Sequence, residues 1–99
     1  MILELANIDI KPGSEEAFEA VVAEAAPLFE AAKGCAGMQL HRSVEEPGRF
    51  VLMVRWATIE DHMVAFRESP AFEQWRVLVG GHFAGPPHMH HVQLVVGKG

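Results

Sequence analysis

Hydrophobic and polar positions alternate in two different periods along the first third of the chain. A period of two over Met1–Ile10 predicts a strand in which Asn7 interrupts an otherwise apolar set of positions. Lys11-Pro12-Gly13 ends that strand, and Ser14-Glu15-Glu16 begins a helix, because acidic side chains favour the positive end of a helix dipole. Gly34 ends the helix. The apolar residues of this helix recur at three- and four-residue spacing: Phe18, Val21, Val22, Ala25, Leu28, Phe29 and Ala32.

The middle of the chain predicts an antiparallel hairpin. Two strand-like runs, Gly37–Glu46 and Arg49–Ala57, flank the turn signal Glu46-Pro47-Gly48. The first run alternates between apolar and polar residues, whereas the second is apolar at both parities up to Arg55. A strand of the second kind is shielded from water on both of its faces.

The last third predicts two short helices and a strand. Thr58 to Asp61 resembles a capping box that begins a helix running to Glu68. Ser69 and Pro70 then begin a second helix with an inner stripe of Phe72, Trp75, Val79 and Phe83. Residues His88–Gly97 form the final strand. The order β-α-β-β-α-α-β predicts an α+β fold of the ferredoxin-like kind, an antiparallel four-stranded sheet with its helices on one face.

The second hairpin strand also predicts an assembly. Helices on one face cannot shield the other, and a chain of 99 residues, expected to form one domain over residues 1–99, has no segment left to do so. We therefore expect a homodimer in which two sheets pack face to face about a two-fold axis.

Composition narrows the function classes. Eight Lys and Arg against thirteen Asp and Glu give a net charge of −5 without a basic run, so no nucleic-acid partner is expected. The apolar stretches are far shorter than the roughly 20 residues that span a bilayer, so no membrane partner is expected either. No signal peptide is recognisable, which favours a cytoplasmic location. The single cysteine, Cys35, predicts no internal disulfide.

Four short motifs resemble the antibiotic biosynthesis monooxygenase-like family, in order and across nearly the whole chain. They are Lys11-Pro12-Gly13, Gly34-Cys35-Ala36-Gly37, Arg55-Trp56-Ala57-Thr58 and Ser69-Pro70-Ala71-Phe72. The resemblance implies a dimeric α+β barrel, and often a quinol or anthrone monooxygenase that uses no metal, flavin or haem. Some relatives instead degrade haem, and others have no known activity, so membership alone does not fix the chemistry.

Two positions depart from what the resemblance implies. Many relatives have a histidine three residues before the Ser of the Ser-x-x-Phe motif, where this chain has Phe66. Haem-degrading relatives have an asparagine on the first strand, which Asn7 matches. Their tryptophan and histidine are replaced by Phe66 and Arg76, so the resemblance disfavours haem degradation.

Cofactor-free oxygenation requires an apolar pocket and a polar group that helps to form the substrate anion. Asn7 is expected to project beneath the helices, where it either anchors a substrate oxygen or bonds to a neighbouring helix or loop. His62 shares an inward helical stripe with Ile59, Met63 and Phe66. Its imidazole is suited to proton transfer, and the alternative is a buried histidine bonded to a backbone carbonyl.

Aromatic residues and a histidine cluster complete the candidate set. Phe72 and Trp75 form either an aromatic wall for a planar substrate or ordinary core. Of the histidines in His88-Met89-His90-His91, at most two converge on one strand face, so no metal site is predicted. The resemblance to the family keeps His91 as a candidate beside the site.

The leading hypothesis is a cofactor-independent monooxygenase acting on a small aromatic quinol or polyketide-like substrate. Asn7 and His62 are its predicted catalytic residues, and no cofactor is expected. The second hypothesis is a catalytically silent dimeric module that binds a small apolar ligand or a protein. In the monooxygenase hypothesis, the predicted substrate-binding residues are Phe66, Phe72, Trp75 and His91.

Overall fold

The predicted α+β order of elements is confirmed. The structure is a computed structural model and describes residues 1–98. Its elements are β1 (Ile2–Asp9), α1 (Glu15–Glu30), β2 (Cys35–Arg42), β3 (Arg49–Trp56), a π-helix (Asp61–Phe66), α2 (Pro70–Val79), a 3₁₀ turn (Gly80–His82) and β4 (His88–Val92).

The four strands form one antiparallel sheet in the order β2-β3-β1-β4, the predicted ferredoxin-like arrangement. Alternate residues of β1 and β3 point toward the helices, which places Ile8 and Phe50 in the core with Phe18 of α1. The start of α2 follows its predicted signal, because Ser69 caps the helix by accepting a hydrogen bond from the backbone N–H of Phe72 at 3.4 Å. The first helix, in contrast, ends at Glu30 and not at the predicted Gly34.

In the part of the chain that the structure describes, no helix packs on the opposite face of the sheet. Leu3 and Leu5 of β1 and Val51 and Met53 of β3 lie on it, each partly exposed. The two apolar faces predicted for the second hairpin strand are therefore present, one packed on helices and one open. No helix within residues 1–98 is both long and apolar enough to cross a membrane.

Three further predictions about the elements are wrong: two strand boundaries and the type of one helix. The hairpin connection runs over 43–48 because the Ser43 hydroxyl accepts from the N–H of Glu46 at 3.0 Å and turns the chain early. The final strand ends at Val92 instead of Gly97. Val92 pairs with Leu3, so β1 has almost no backbone left for later residues to pair with. Residues 94, 95 and 96 are instead 61%, 88% and 85% exposed.

The third difference lies in the short helix after β3. It is a π-helix, in which the N–H of Arg67 donates to the carbonyl of His62 at 3.0 Å, five residues earlier. The inward stripe predicted from α-helical spacing is therefore only half right. His62 and Phe66 are buried, while Ile59 and Met63 are 43% and 37% exposed.

Candidate active site

A cavity of about 700 Å³ lies between the helix-facing side of the sheet and α2. Its inner wall is formed by the sheet, and its outer wall reaches the surface through exposed residues of α2. Most of the lining residues are apolar, but five ionisable side chains give the wall a substantial polar surface: Glu4, His62, Arg67, Glu73 and Arg76. The ionisable and aromatic residues of its wall include Glu4, His62, Arg67, Phe72, Trp75 and Arg76.

Glu4 is a carboxylic acid held inside the core. It occupies a position of β1 that faces the helices, and only 5% of its surface is exposed. Its Oε1 accepts a 3.0 Å hydrogen bond from the indole Nε1–H of Trp56 and lies 3.3 Å from Nε2 of His62. Burial raises the pKa of Glu4 to about 7, although the Trp56 hydrogen bond and the charge of Arg67 act in the opposite direction.

His62 connects Glu4 to a second histidine. The π-helix directs its ring into the core, where it stacks on the indole of Trp56 with centroids 5.2 Å apart and planes 11° apart. Its Nδ1 lies 2.8 Å from Nε2 of His91. Burial, with the charges of His91 and Arg67, lowers the pKa of His62 to about 4, so the imidazole is neutral at pH 7.

His91 reaches this site because of the sheet register. Glu4 and His91 are direct partners across β1 and β4, so both side chains point toward the helices. Burial, followed by the charge of His90, lowers the pKa of His91.

The contacts from Glu4 through His62 to His91 form a path for a proton. A neutral imidazole has one N–H and one acceptor nitrogen. With Nε2 protonated, His62 presents an N–H to an ionised Glu4 at 3.3 Å and accepts from His91 at Nδ1. With Nδ1 protonated, it donates to His91 and presents its acceptor nitrogen to a protonated Glu4. A carboxyl group with a pKa near 7 suits a general base at neutral pH, since both of its protonation states are then populated.

The aromatic wall of the cavity comes mainly from α2. Phe72 and Trp75 both line it, and Trp75 packs edge-on against Phe29 with centroids 4.8 Å apart. The guanidinium of Arg67 lies 5.3 Å from the centre of the Phe72 ring. A planar aromatic ligand could therefore stack in the cavity close to Glu4 and His62.

The antibiotic biosynthesis monooxygenase family profile matches residues 1–77, more than three quarters of the chain. The chain belongs to the antibiotic biosynthesis monooxygenase family. The uncharacterized protein YczJ of Bacillus subtilis (strain 168) is 35% identical over 95 residues, which are 96% of this chain and 100% of YczJ.

Solved structures agree with this family assignment. A Bordetella bronchiseptica protein, named among the antibiotic biosynthesis monooxygenases, is 54% identical with a TM-score of 0.94, covering 96% of this chain and 97% of its own. A similarly named protein from Nitrosomonas europaea is 22% identical with a TM-score of 0.82, covering 97% and 100%. At that identity the likeness shows the fold alone.

Asn7 does not project beneath the helices, although the sequence of this family member predicts that it does. It occupies the parity of β1 opposite to Glu4, Ala6 and Ile8, and so it points to the open face of the sheet, away from the cavity. The two parities of β1 are nearly equally apolar, and the pattern alone did not show which one faces the helices.

Phe66 also lies outside the wall of this cavity. It is 3% exposed and packs between Phe29, Trp56 and Phe72, with ring centroids 4.8, 5.4 and 5.7 Å away. Phe66 therefore packs against the wall residue Phe72 without lining the cavity itself. Of the other candidates, His62, Phe72 and Trp75 line the cavity, and His91 contacts His62.

Sequence reasoning missed Glu4. A signal was visible, because Glu4 is the one acidic residue at a parity of the first strand that otherwise holds Ile2, Ala6, Ile8 and Ile10. A carboxylic acid in an apolar row is a candidate for a raised pKa.

The histidine cluster of β4 is divided by the sheet. His88 and His90 lie on the open face with Asn7 and Leu5, whereas His91 lies on the helix-facing side. Within residues 1–98, no three His, Cys, Asp or Glu side chains converge closely enough to hold a metal ion.

Proposed function

We propose that this family member is a cofactor-independent monooxygenase that oxidises a small aromatic quinol or polyketide-like phenol with molecular oxygen. The observation that carries the proposal is the pair formed by Glu4 and His62. A buried base with a pKa near 7 and a neutral imidazole meet on the wall of a cavity that is partly aromatic and large enough for an aromatic substrate.

The first step is removal of a substrate hydroxyl proton. Glu4, ionised, accepts this proton directly or through His62, and the burial of both side chains limits the access of bulk water to them. The resulting phenolate is electron-rich, and it transfers one electron to O₂. The superoxide and the substrate radical then combine at a ring carbon to give a peroxide.

Collapse of the peroxide completes the reaction. The ring carbon loses its hydrogen, the O–O bond breaks, one oxygen atom stays as a carbonyl or hydroxyl oxygen, and the other leaves as water. For naphthalene-1,4-diol the balance is C₁₀H₈O₂ + O₂ → C₁₀H₆O₃ + H₂O, with 2-hydroxy-1,4-naphthoquinone as product. The substrate supplies all the electrons, so the sequence of steps needs no added reductant.

An isotope experiment tests the proposal. Naphthalene-1,4-diol is mixed with the protein under ¹⁸O₂, and the product is analysed by mass spectrometry. We expect one ¹⁸O atom in 2-hydroxy-1,4-naphthoquinone and one in water, at a rate proportional to protein concentration. Glu4→Gln should lower that rate by roughly 100-fold or more, the usual contribution of a general base.

Spontaneous oxidation of the diol is the main background, and it gives unlabelled 1,4-naphthoquinone and hydrogen peroxide. Glu24→Gln is the matched control, because Glu24 is an exposed glutamate of α1. If the protein bound the diol tightly without raising labelled product above background, the oxygenase would be ruled out. A silent binding module would then be the better description.

We further propose that two copies form a homodimer through the open face of the sheet. Near the centre of this face Leu5 pairs with Met53 and Val51 pairs with Asn7, so apolar side chains lie among polar ones. The polar neighbours on the flanking strands are Gln39, His41, His88 and His90. A partly exposed apolar sheet face of this kind is stabilised when a second copy covers it.

Analytical ultracentrifugation at micromolar concentration tests the dimer. Met53→Glu, which places a charge at the centre of the face, should yield monomers. Val44→Glu is the control, since Val44 is 93% exposed in the hairpin connection and should leave the dimer intact. A wild-type protein that sediments as a monomer would refute the dimer.

A further inference from the structure

Two arginines, Arg67 and Arg76, lie over the aromatic ring of Phe72 at the mouth of the cavity. The guanidinium carbon of Arg67 lies 5.3 Å from the centre of the Phe72 ring, and that of Arg76 lies 6.0 Å from it. Both arginines line the cavity. Stacking on an aromatic ring restricts a guanidinium while leaving its N–H groups free for a further partner.

These two arginines differ in their ion pairing. Arg76 lies 3.5 Å from the carboxylate of Glu73, and both side chains are mostly exposed. Arg67 forms no ion pair within residues 1–98 at a distance of 4.0 Å or less. Its positive charge is nevertheless felt inside the cavity, where it acts on both Glu4 and His62.

The position of Arg67 follows from the π-helix. In an α-helix, five residues would turn Arg67 about 140° away from His62. The i to i+5 hydrogen bond between the two residues instead brings them close to the same side of the helix. The catalytic imidazole and an unpaired guanidinium therefore face one cavity.

We propose that the aromatic substrate carries a carboxylate, which Arg67 binds with its planar fork while Arg76 adds a second positive charge. This inference rests on the proposed function and specifies its substrate class. A guanidinium binds a carboxylate through two parallel hydrogen bonds, and the apolar wall beside it accommodates the ring. The preference must be local, because the chain as a whole has a net charge of −5 and repels anions.

Calorimetric titration with three air-stable probes tests the inference without any turnover. The probes are 6-hydroxy-2-naphthoate, its uncharged amide and 2-naphthol. Wild-type protein should bind the carboxylate roughly tenfold or more tightly than the amide, a typical gain for a charged hydrogen bond. Added salt should reduce this ratio, since the guanidinium at the mouth is exposed.

Substitutions show which residue causes the preference for the carboxylate over the amide. Arg67→Gln should bring the carboxylate and amide affinities near to parity, and Arg67→Lys, which keeps the charge but loses the fork, should give an intermediate ratio. Arg42→Gln is the matched control. The Arg42 guanidinium also lies 5.3 Å from an aromatic ring, that of Phe50, but it does not line this cavity.

Two results would overturn the inference: equal affinities of the wild-type protein for carboxylate and amide, or an unchanged preference in the Arg67→Gln protein. Incorporation of ¹⁸O into 2-hydroxy-1,4-naphthoquinone, measured with the uncharged naphthalene-1,4-diol, reports separately on the proposed oxygenase. Incorporation without a carboxylate preference refutes only the substrate class. A carboxylate preference that disappears in Arg67→Gln, without incorporation, refutes only the oxygenase.

Discussion

Trp56 donates its indole N–H to the carboxyl group of Glu4 at 3.0 Å, with both side chains buried on the helix-facing side of the sheet. The register pairs Glu4 with Val54 and Trp56 with Ile2, so the bond crosses the strands diagonally. The same indole stacks on His62. The Trp56 side chain thus fixes the positions of both Glu4 and His62, the two residues proposed to remove the substrate proton.

Replacing Glu4 by glutamine should change how stability depends on pH. The pKa of Glu4 is about 7 in the folded protein and about 4.3 in the unfolded chain, so between these values the folded state binds more protons. Stability from Glu4 is fully present below about pH 4.3 and is lost as pH rises through 7. Between pH 5 and pH 8 the loss is about 2.5 kcal/mol. Urea denaturation at pH 5 and pH 8 measures it.

The comparison must be made against Glu4→Gln because His62 acts in the opposite direction. Its pKa is lowered to about 4, so its contribution increases as pH rises from about 4 to 6.5. The variant keeps His62 and removes only the carboxyl titration. The wild type should therefore lose stability relative to Glu4→Gln between pH 5 and pH 8. A constant difference would show that the pKa of Glu4 is not raised.

Trp56→Phe should raise the pKa of Glu4 further. The substitution keeps a large aromatic ring but removes the hydrogen bond that favours the ionised carboxylate. NMR titration of a ¹³C-labelled Glu4 carboxyl carbon measures this directly, and the pH at which oxygenation reaches half its maximum should move in the same alkaline direction. An unchanged carboxyl titration would mean that the indole does not bind the charged form.

The fold was predictable because period-two and period-3.6 patterns report local structure directly. The open sheet face was also visible, since Phe50 to Val54 is apolar at both parities. Asn7 was assigned to the wrong face because parity shows which residues share a face and not which face the helices cover. That choice depends on packing at long range.

The site was less predictable because it depends on two irregular features. Glu4 is buried because its parity of β1 faces the helices, but its hydrogen bond to Trp56 depends on cross-strand register, which a strand pattern does not contain. The joint placement of His62 and Arg67 follows from a π-helix, whereas an α-helical wheel separates them. Both features favour function over regular local structure, as is common at sites.

His91→Ala should raise the pKa of His62. The substitution removes a ring 2.8 Å from Nδ1 and admits water, and both changes favour the protonated imidazole. NMR titration of the His62 ring should show movement from about 4 toward the ordinary value of about 6.5. His90→Ala is the neighbouring control, because His90 lies on the opposite face of the sheet. Equal effects of the two substitutions would contradict the assigned contact.

Gly34→Ala should destabilise the protein more than Gly13→Ala does. Both glycines have positive φ, +79° and +89°, so alanine is strained at either position by about 1 kcal/mol. A methyl group at Gly34 would also collide with the side chain of Asp61, whereas nothing lies within 4 Å at Gly13. The collision should add about 1–3 kcal/mol to the loss, measured by urea denaturation. Asp61 begins the π-helix that holds His62, so Gly34→Ala should also lower the oxygenation rate. Equal losses of stability at the two positions would show that Asp61 moves aside without cost.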